Sequence, residues 1–272
     1  MSPERMRPAQ DAFGRLAGEA AAMARLYDVD MLDDPDDLDL YRALANRAEG
    51  PLLELAVGTG RLAVPLALDG HRVTGVDLDP AMLDRARDRA ARAGLSDGGL
   101  ELVAADIRDV RLPTAGAFGF GFLALNSLLV LGDRDAQRAA LGTLARHLAP
   151  GGLAAVDVWL PDAEDLARFD GRVILEHTRE DPDTGHLVVK TGSAIHDATR
   201  QVVHLTTIYE EGEAGQPARR WVRRDRLRLV SADELRSFAE DAGLVVETLA
   251  GSYDLDPLEP ASDRAILVAR LP

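Results

Sequence analysis

From Pro51 onward the chain is punctuated with a regularity that few folds accept. An apolar run at 51–57 meets Gly58 and Gly60 and passes into a helical pattern at 61–68. A second apolar run at 72–76 ends at Asp77, and Pro80 opens a helix over 80–93 that Gly94 stops. Proline costs nothing in a first helical turn, where its missing N–H has no partner, and glycine is the natural C-terminal stop. Further runs follow at 100–104, with Asp106 just beyond, at 117–125 and at 153–159, the last preceded by a helical pattern over 133–148 and by Pro150-Gly151-Gly152. Such alternation predicts right-handed βαβ units and a parallel sheet covered on both faces.

After Pro161 the pattern changes. Segments near 172–178, 186–196, 201–210 and 219–230 are rich in Val, Ile, Thr, Tyr and Trp, with turn signals at 181–185, 197–200 and 211–217, and predict an antiparallel meander inserted into the parallel fold. Ser231, with Glu234 three residues on, reads as a capping box opening a helix over 232–242 that Gly243 stops. Strands at 244–249 and 264–270 lie too close for a crossover helix and are therefore an antiparallel pair. Ahead of residue 51, Phe13, Leu16, Ala20, Met23 and Leu26 recur at helical spacing over 9–26, followed by Leu26-Tyr27-Asp28 and an acidic stretch to Asp39 read as loop or short helix.

Composition narrows the partners. With 272 residues, 46% of them hydrophobic, the chain can bury one large core. A net charge of -15 repels a phosphate backbone, so nucleic acid is not an expected partner. There is no cysteine, and the six histidines show no paired metal-ligand spacing, so no metal is expected. The N-terminal residues lack a basic segment followed by an apolar one, and no run reaches the roughly 18 apolar residues of a membrane helix. These features predict a cytoplasmic protein with no membrane partner.

The glycine turn is the chemical centre of the sequence. Gly58-x-Gly60-x-x-Ala63, with Asp77 downstream, fits the dinucleotide fingerprint, and small residues that merely let a helix pack on a sheet would give the same pattern. Three features pull away from NAD. Glu54 lies inside the strand before the turn, where a carboxylate is costly unless hydrogen-bonded or met by a cation. Asp106 offers a further acceptor at the carboxyl edge of the sheet, and the sheet closes with an antiparallel pair instead of a second nucleotide-binding half.

Together these residues resemble the class I S-adenosylmethionine-dependent methyltransferases, closely over 51–160 and in plan over 231–270. Glu54-Leu55-Ala56-Val57-Gly58-Thr59-Gly60 keeps the acid and two glycines of that family's usual segment, with Ala56 in place of the first glycine. The resemblance implies an α/β, Rossmann-like methyltransferase fold: a mostly parallel seven-stranded sheet with an antiparallel last strand, plus the inserted meander after the fifth strand. It divides the chain into an N-terminal helical lid (1–50), a cofactor-binding core (51–160 and 231–272) and an inserted substrate or dimer layer (161–230). It implies S-adenosylmethionine as cofactor and S-adenosylhomocysteine as product. Glu54, Ala56, Gly58, Thr59, Gly60 and Arg61 would surround the methionine part, Asp77 would accept from the ribose hydroxyls, Leu78 and Met82 would line the adenosine, Asp106 would accept from the adenine amino group and Ile107 would pack on the ring. Asn126 and Ser127 would lie near the sulfonium and the acceptor.

The lid and meander look like the branch that methylates N or O atoms of sugars and secondary metabolites. Tyr27, Trp159 and Tyr209 are candidate walls of the acceptor pocket, each joining an apolar body to a polar tip. Tyr27, Asn126 and His177 are candidate catalytic groups, and His196 and His204 share the inserted strands with His177. In-line displacement with a neutral leaving group can proceed by proximity and desolvation alone, so a dedicated base is optional. The run Arg219-Arg220-Trp221-Val222-Arg223-Arg224-Asp225-Arg226 fits an anionic acceptor, a dimer contact or a solvated strand face. A monomer or homodimer acting on a small molecule is expected, against an NAD-dependent oxidoreductase or a non-catalytic S-adenosylmethionine-binding module.

Overall fold

A computed structural model describes residues 7–272 apart from Asp34, Asp97 and Ala214, with side chains from Gly18 onward. Helix α1 (Arg7–Asp30) is followed by α2 (Leu38–Arg47) and strand β1 (Leu52–Leu55). Then come α3 (Ala63–Leu68), β2 (Val73–Asp77), α4 (Pro80–Arg92), β3 (Leu100–Ala104), β4 (Phe118–Leu123), α5 (Ser127–Val130), α6 (Arg134–His147) and β5 (Leu148–Trp159). Helix α7 (Ala163–Arg168) leads into four long strands, β6 (Asp170–Glu180), β7 (Leu187–Asp197), β8 (Val202–Gly212) and β9 (Arg219–Arg228), and α8 (Ala232–Asp241), β10 (Val245–Ala250) and β11 (Arg264–Arg270) complete the order.

The expected architecture forms. Seven strands lie in the order β10-β11-β5-β4-β1-β2-β3, with β11 antiparallel to both neighbours and the β1–β5 ladders parallel. The second sheet is a plain antiparallel meander, β6-β7-β8-β9.

Period-two alternation sorts β1 between two cores. Leu53 and Leu55 pack with Leu141 and Leu144 of α6 and Phe238 of α8. Leu52 packs with Tyr41 and Leu44 of α2, Leu66 of α3, Leu83 of α4 and the Phe120 and Phe122 pair of β4. Glu54 therefore points to this second face. There Tyr41 lies 4.7 Å from the Phe122 ring and Phe120 5.0 Å from Phe122, an aromatic seam that fixes α2 over the sheet.

Several boundaries differ from expectation for identifiable reasons. Helix α1 continues through Tyr27 and Asp28 to Asp30, because cationic partners from other elements hold the carboxylates that read as loop: Arg85 and Arg89 meet Asp28, and Lys190 meets Asp30. Arg179 caps the end of this helix, donating to the carbonyls of Val29 (3.0 Å) and Asp30 (2.9 Å). The side chains of Phe13 and Leu16 lie outside the described residues. Helix α2, unpredicted, is held by burial of Leu40, Tyr41, Leu44 and Ala45. Helix α7, also unpredicted, has a capping box of Asp162 and Asp165. Half of the Ser231 box forms: Ser231 Oγ accepts from the Glu234 N–H (3.2 Å), while the Glu234 carboxylate turns to Arg228 (2.8 and 2.9 Å), a charged partner in place of a backbone amide.

The two sheets meet through α1 and through the base of the meander. Leu26 and Val29 bury against Val188 and Tyr209, each burial worth about 1.5–3 kcal/mol. Val203 and Leu229 join the α6/α8 core directly.

The tightest backbone approach in this frame is at Gly119, where an added Cβ would lie 1.9 Å from the Glu49 carbonyl oxygen. Gly119→Ala should cost about 1–3 kcal/mol in urea unfolding, as overpacking against a backbone that cannot yield. Gly142→Ala in α6, where the Cβ meets nothing within 4 Å, should instead stabilise by up to about 1 kcal/mol.

Candidate functional site

The loops after β1 and β2 converge at the carboxyl edge of the sheet. The first is a tight turn because Ala56 (φ 60), Gly58 (φ 54) and Gly60 (φ 75) all take left-handed backbone conformations. It is tied down by Asp77 at the end of β2, whose Oδ2 accepts from the Gly58 N–H (2.8 Å) and whose Oδ1 accepts from the Asp79 N–H (2.9 Å). Asp79 in turn caps α4, accepting from the Ala81 N–H (2.8 Å). Burial pushes the Asp77 carboxyl above its ordinary range, and the Asp79 and Gly58 amides oppose that. The Leu78 amide adds a further backbone contact, and a carboxylate with about four acceptor positions still has room for a ligand hydroxyl. Leu78 beside it is 67% exposed, and Met82 is half-buried one turn along α4. A Cβ on Gly58 would meet nothing within 4 Å, so the turn borders open space.

Glu54 sits under that turn, 4% exposed. A backbone N–H from Ala63 reaches its carboxylate, while Oε2 is buried with no hydrogen-bond partner among the described residues. Burial pushes its pKa up to about 8, against the lowering influence of Arg61. That guanidinium is already engaged bidentately by the fully buried Asp37 (2.5 and 2.6 Å), which limits its effect on Glu54. An orphaned buried carboxylate oxygen beside a turn that leaves room at Gly58 suits a ligand carrying an ammonium group. Asp77 next to an exposed Leu78 suits a ribose with an apolar base. The residues fit S-adenosylmethionine.

Tyr27 belongs to the same neighbourhood. Burial raises its phenol pKa, and after burial the largest influences are Arg61, Glu54, Asp28 and, from β9, Arg223. It stays a neutral hydroxyl at physiological pH, between the glycine turn and the second sheet. Thr59 is buried, and its hydroxyl donates to Asp28 of α1 (2.7 Å).

Other anticipated residues are placed differently. Arg108 holds the Asp106 carboxyl below its usual range and reaches both of its oxygens (2.9 Å each from Nε), so an adenine amino group would share them with this guanidinium. Ile107 is buried beside it. Asn126 Oδ1 accepts from the Trp159 N–H (2.9 Å), tying the end of β4 to the end of β5, and Ser127 opens α5. Trp159 packs on Phe169 with ring centroids 5.9 Å apart. His177 and Tyr209 are both drawn to Asp30 of α1 and not to the glycine turn. His177 Nε2 lies 2.8 Å from Asp30 Oδ1, and the buried Tyr209 hydroxyl donates to Asp30 Oδ2 (2.7 Å), both on the α1 side of the second sheet. The arginine run alternates: Arg220, Arg224 and Arg226 are exposed, while Arg223 turns inward and pairs with Asp225 (2.8 Å). Strand alternation could have singled out Arg223. Asp28, Asp30 and Asp37 were hidden in what read as an acidic loop.

Comparisons with known proteins agree with the fold. A methyltransferase-domain family profile matches residues 52–152. The chain is 30% identical over 219 residues to a dTDP-3-amino-3,4,6-trideoxy-alpha-D-glucopyranose N,N-dimethyltransferase of Streptomyces venezuelae, covering 79% of this chain and 84% of that one. It is 27% identical over 217 residues to the cypemycin N-terminal methyltransferase of a Streptomyces species, covering 80% and 81%. The CcbJ methyltransferase structure from Streptomyces caelestis superposes with a TM-score of 0.71 at 27% identity, covering 89% and 95%. The chain belongs to the class I S-adenosylmethionine-dependent methyltransferases, in the branch that acts on small molecules. It is an enzyme whose methyl donor is S-adenosylmethionine.

Two expectations follow from this geometry. Glu54 holds a proton in the folded protein up to about pH 8, whereas the ordinary value is 4.5, so its contribution to stability is complete below about 4.5 and is lost as pH rises toward 8, by at most about 1.4 kcal/mol per pH unit. Glu54→Gln removes that slope, and its stability relative to wild type should rise steadily across this window in urea titrations. At the turn, Gly58→Val should weaken S-adenosylhomocysteine binding in calorimetry by well over tenfold, more than about 1.4 kcal/mol, whereas Ala56→Gly relieves a left-handed alanine and should leave binding intact.

Proposed function

We propose that the enzyme methylates an amine of a small molecule, with a nucleotide-linked amino sugar as the leading acceptor. The observation that supports nitrogen over oxygen is the state of the polar groups near the turn. Tyr27 is held neutral by burial, and His177 is committed to Asp30. The neutral Tyr27 phenol does not take a proton from a hydroxyl, and the His177 imidazole is held on the second sheet, whereas a neutral amine attacks with its own lone pair. When bound, S-adenosylmethionine supplies an electrophilic methyl carbon and departs as a neutral thioether.

The chain's own residues would then orient and desolvate. Glu54 would meet the ammonium end of the cofactor through its orphaned oxygen, Asp77 the ribose, and the Thr59-bearing turn would press backbone along the methionine part. The Tyr27 hydroxyl would orient the amine, with Ser127 and Trp159 at the strand ends beside it. Arg223, turned inward on β9, would meet an anionic group such as the acceptor's diphosphate. Similarity to a sugar N,N-dimethyltransferase and a peptide N-terminal methyltransferase supports nitrogen. The inward arginine favours the phosphorylated sugar. In this reading residues 1–50 and 161–230 form the lid and substrate layer. The protein works in the cytoplasm as a monomer, or as a homodimer joined through the outer face of the second sheet, where Val173, Leu175, Leu187, Ile195 and Val222 are exposed.

A methyl-transfer panel with labelled cofactor tests this: a nucleotide-linked amino sugar, the free amino sugar, a peptide with a free N-terminus and a phenol. The nucleotide-linked amine is expected to lead in kcat/KM, the free sugar to fall by about tenfold or more for want of the Arg223 contact, and the phenol to be inert. Turnover of the phenol alone would overturn the reading, and preference for the peptide would move the acceptor class.

A further inference from the structure

Helix α1 is held differently on its two sides. Toward the second sheet, Asp30 takes three donors, His177 Nε2 (2.8 Å), Lys190 Nζ (2.8 Å) and the Tyr209 hydroxyl (2.7 Å), drawn from β6, β7 and β8. His177, Lys190 and Tyr209 occupy one cross-strand row, so the carboxylate is matched to the register of the sheet. The Arg179 cap and the burial of Leu26 and Val29 act on the same side. Arg25 adds ion pairs to Asp181 and Glu211.

Asp183 of the β6–β7 turn reaches α4 directly, pairing with Arg85 (2.9 Å) and Arg92 (3.4 Å), while the polar contact with the cofactor turn itself centres on Asp28. Its Oδ1 accepts from Thr59 Oγ1 (2.7 Å) and Arg89 Nη2 (2.8 Å), and its Oδ2 from Arg85 Nε (2.6 Å). Arg89 also donates to the Thr59 carbonyl (3.0 Å), so turn, α4 and α1 close around one carboxylate. Beside this seam lies a cavity of about 410 Å³ lined by Asp28, Met31, Arg85, Arg89, Arg92 and Asp183. Water therefore reaches the ion pairs of this seam, and among the described residues no apolar cluster like that of Leu26, Val29, Val188 and Tyr209 reinforces Asp28 on this side. Solvated pairs exchange partners far more readily than buried apolar contacts separate.

We propose that Asp28 is a positioning residue: it seats α1 on the glycine turn, more firmly once the cofactor fills that turn, and so sets Tyr27 at its working distance. The contact runs through Thr59, which lies between Gly58 and Gly60 and can move only with them. Because α1 is fixed to the meander through Asp30 and the base of the meander is fixed in the α6/α8 core, the Asp28 seam is where occupancy of the turn is passed to the acceptor wall, so cofactor binding precedes its final placement. This rests on placing the cofactor at the glycine turn and not on the identity of the acceptor.

The experiment combines S-adenosylhomocysteine calorimetry with amide hydrogen exchange over residues 18–33, in wild type, Asp28→Asn, Thr59→Val, the double variant and Asp28→Glu. In wild type the ligand should slow exchange in 18–33. Asp28→Asn should abolish that slowing and weaken binding by about tenfold, Thr59→Val should act alike, the double variant should be little worse than either, and Asp28→Glu should partly restore both readouts. Ligand-induced protection of 18–33 that persists in Asp28→Asn and Thr59→Val, or strictly additive losses, would overturn the proposal. Should Asp28→Asn not fold, Thr59→Val carries the test by itself. Failure of wild type to bind S-adenosylhomocysteine would instead overturn the placement of the cofactor.

Discussion

The carboxylate of Asp77 is the point on which the site is hung. A turn with three left-handed residues, one of them an alanine, carries a conformational cost of the order of 1–2 kcal/mol for the non-glycine position. It persists because Asp77 collects one N–H from that turn and one from the loop that starts α4. Two loops from different βαβ units thereby share one anchor, and the open space at Gly58 is framed before any ligand arrives. The buried Glu54 beneath is tolerated for a related reason: it keeps its proton, and a cationic ligand group would supply the partner that the protein withholds.

Around this anchor the enzyme is assembled from two sheets that touch little except through one helix and the base of the meander. That helix speaks to each sheet through a separate aspartate, Asp28 to the turn and α4, Asp30 to a row of three strands. The chain's single lysine, Lys190, is spent here and not on the surface. Short aspartates placed two residues apart on a helix point in different directions, so one turn of α1 can face both bodies at once.

Much of the architecture was legible because its signals are local. Pro80 and Gly94 punctuate a helix where they stand, and segments rich in Val, Ile, Thr, Tyr and Trp between turn signals placed the meander. Apolar runs around Asp77 and Asp106 located strand ends to within a residue or two. What escaped was tertiary in origin. Helix α2 is only ten residues long behind an acidic stretch, and it is held because Tyr41 finds Phe120 and Phe122 far along the chain. The acidic stretch from Asp28 looked like solvent-facing loop because the cations that neutralise it, Arg61, Arg85, Arg89, Arg179 and Lys190, come from elsewhere. The same blindness affects the site: nothing local reveals that Asp30 claims His177 and Tyr209, 147 and 179 residues away.

The position of β11 carries a consequence for how the chain reaches this state. The last strand in sequence lies inside the sheet, antiparallel between β10 and β5. Until residues 264–270 arrive, β5 exposes an unpaired edge flanked by Leu153 to Val158, all buried in the finished protein. During synthesis that edge is a template for any passing strand. The meander at 170–228 emerges while the gap is still open, and its own tight local pairing keeps its strands from filling a slot meant for another.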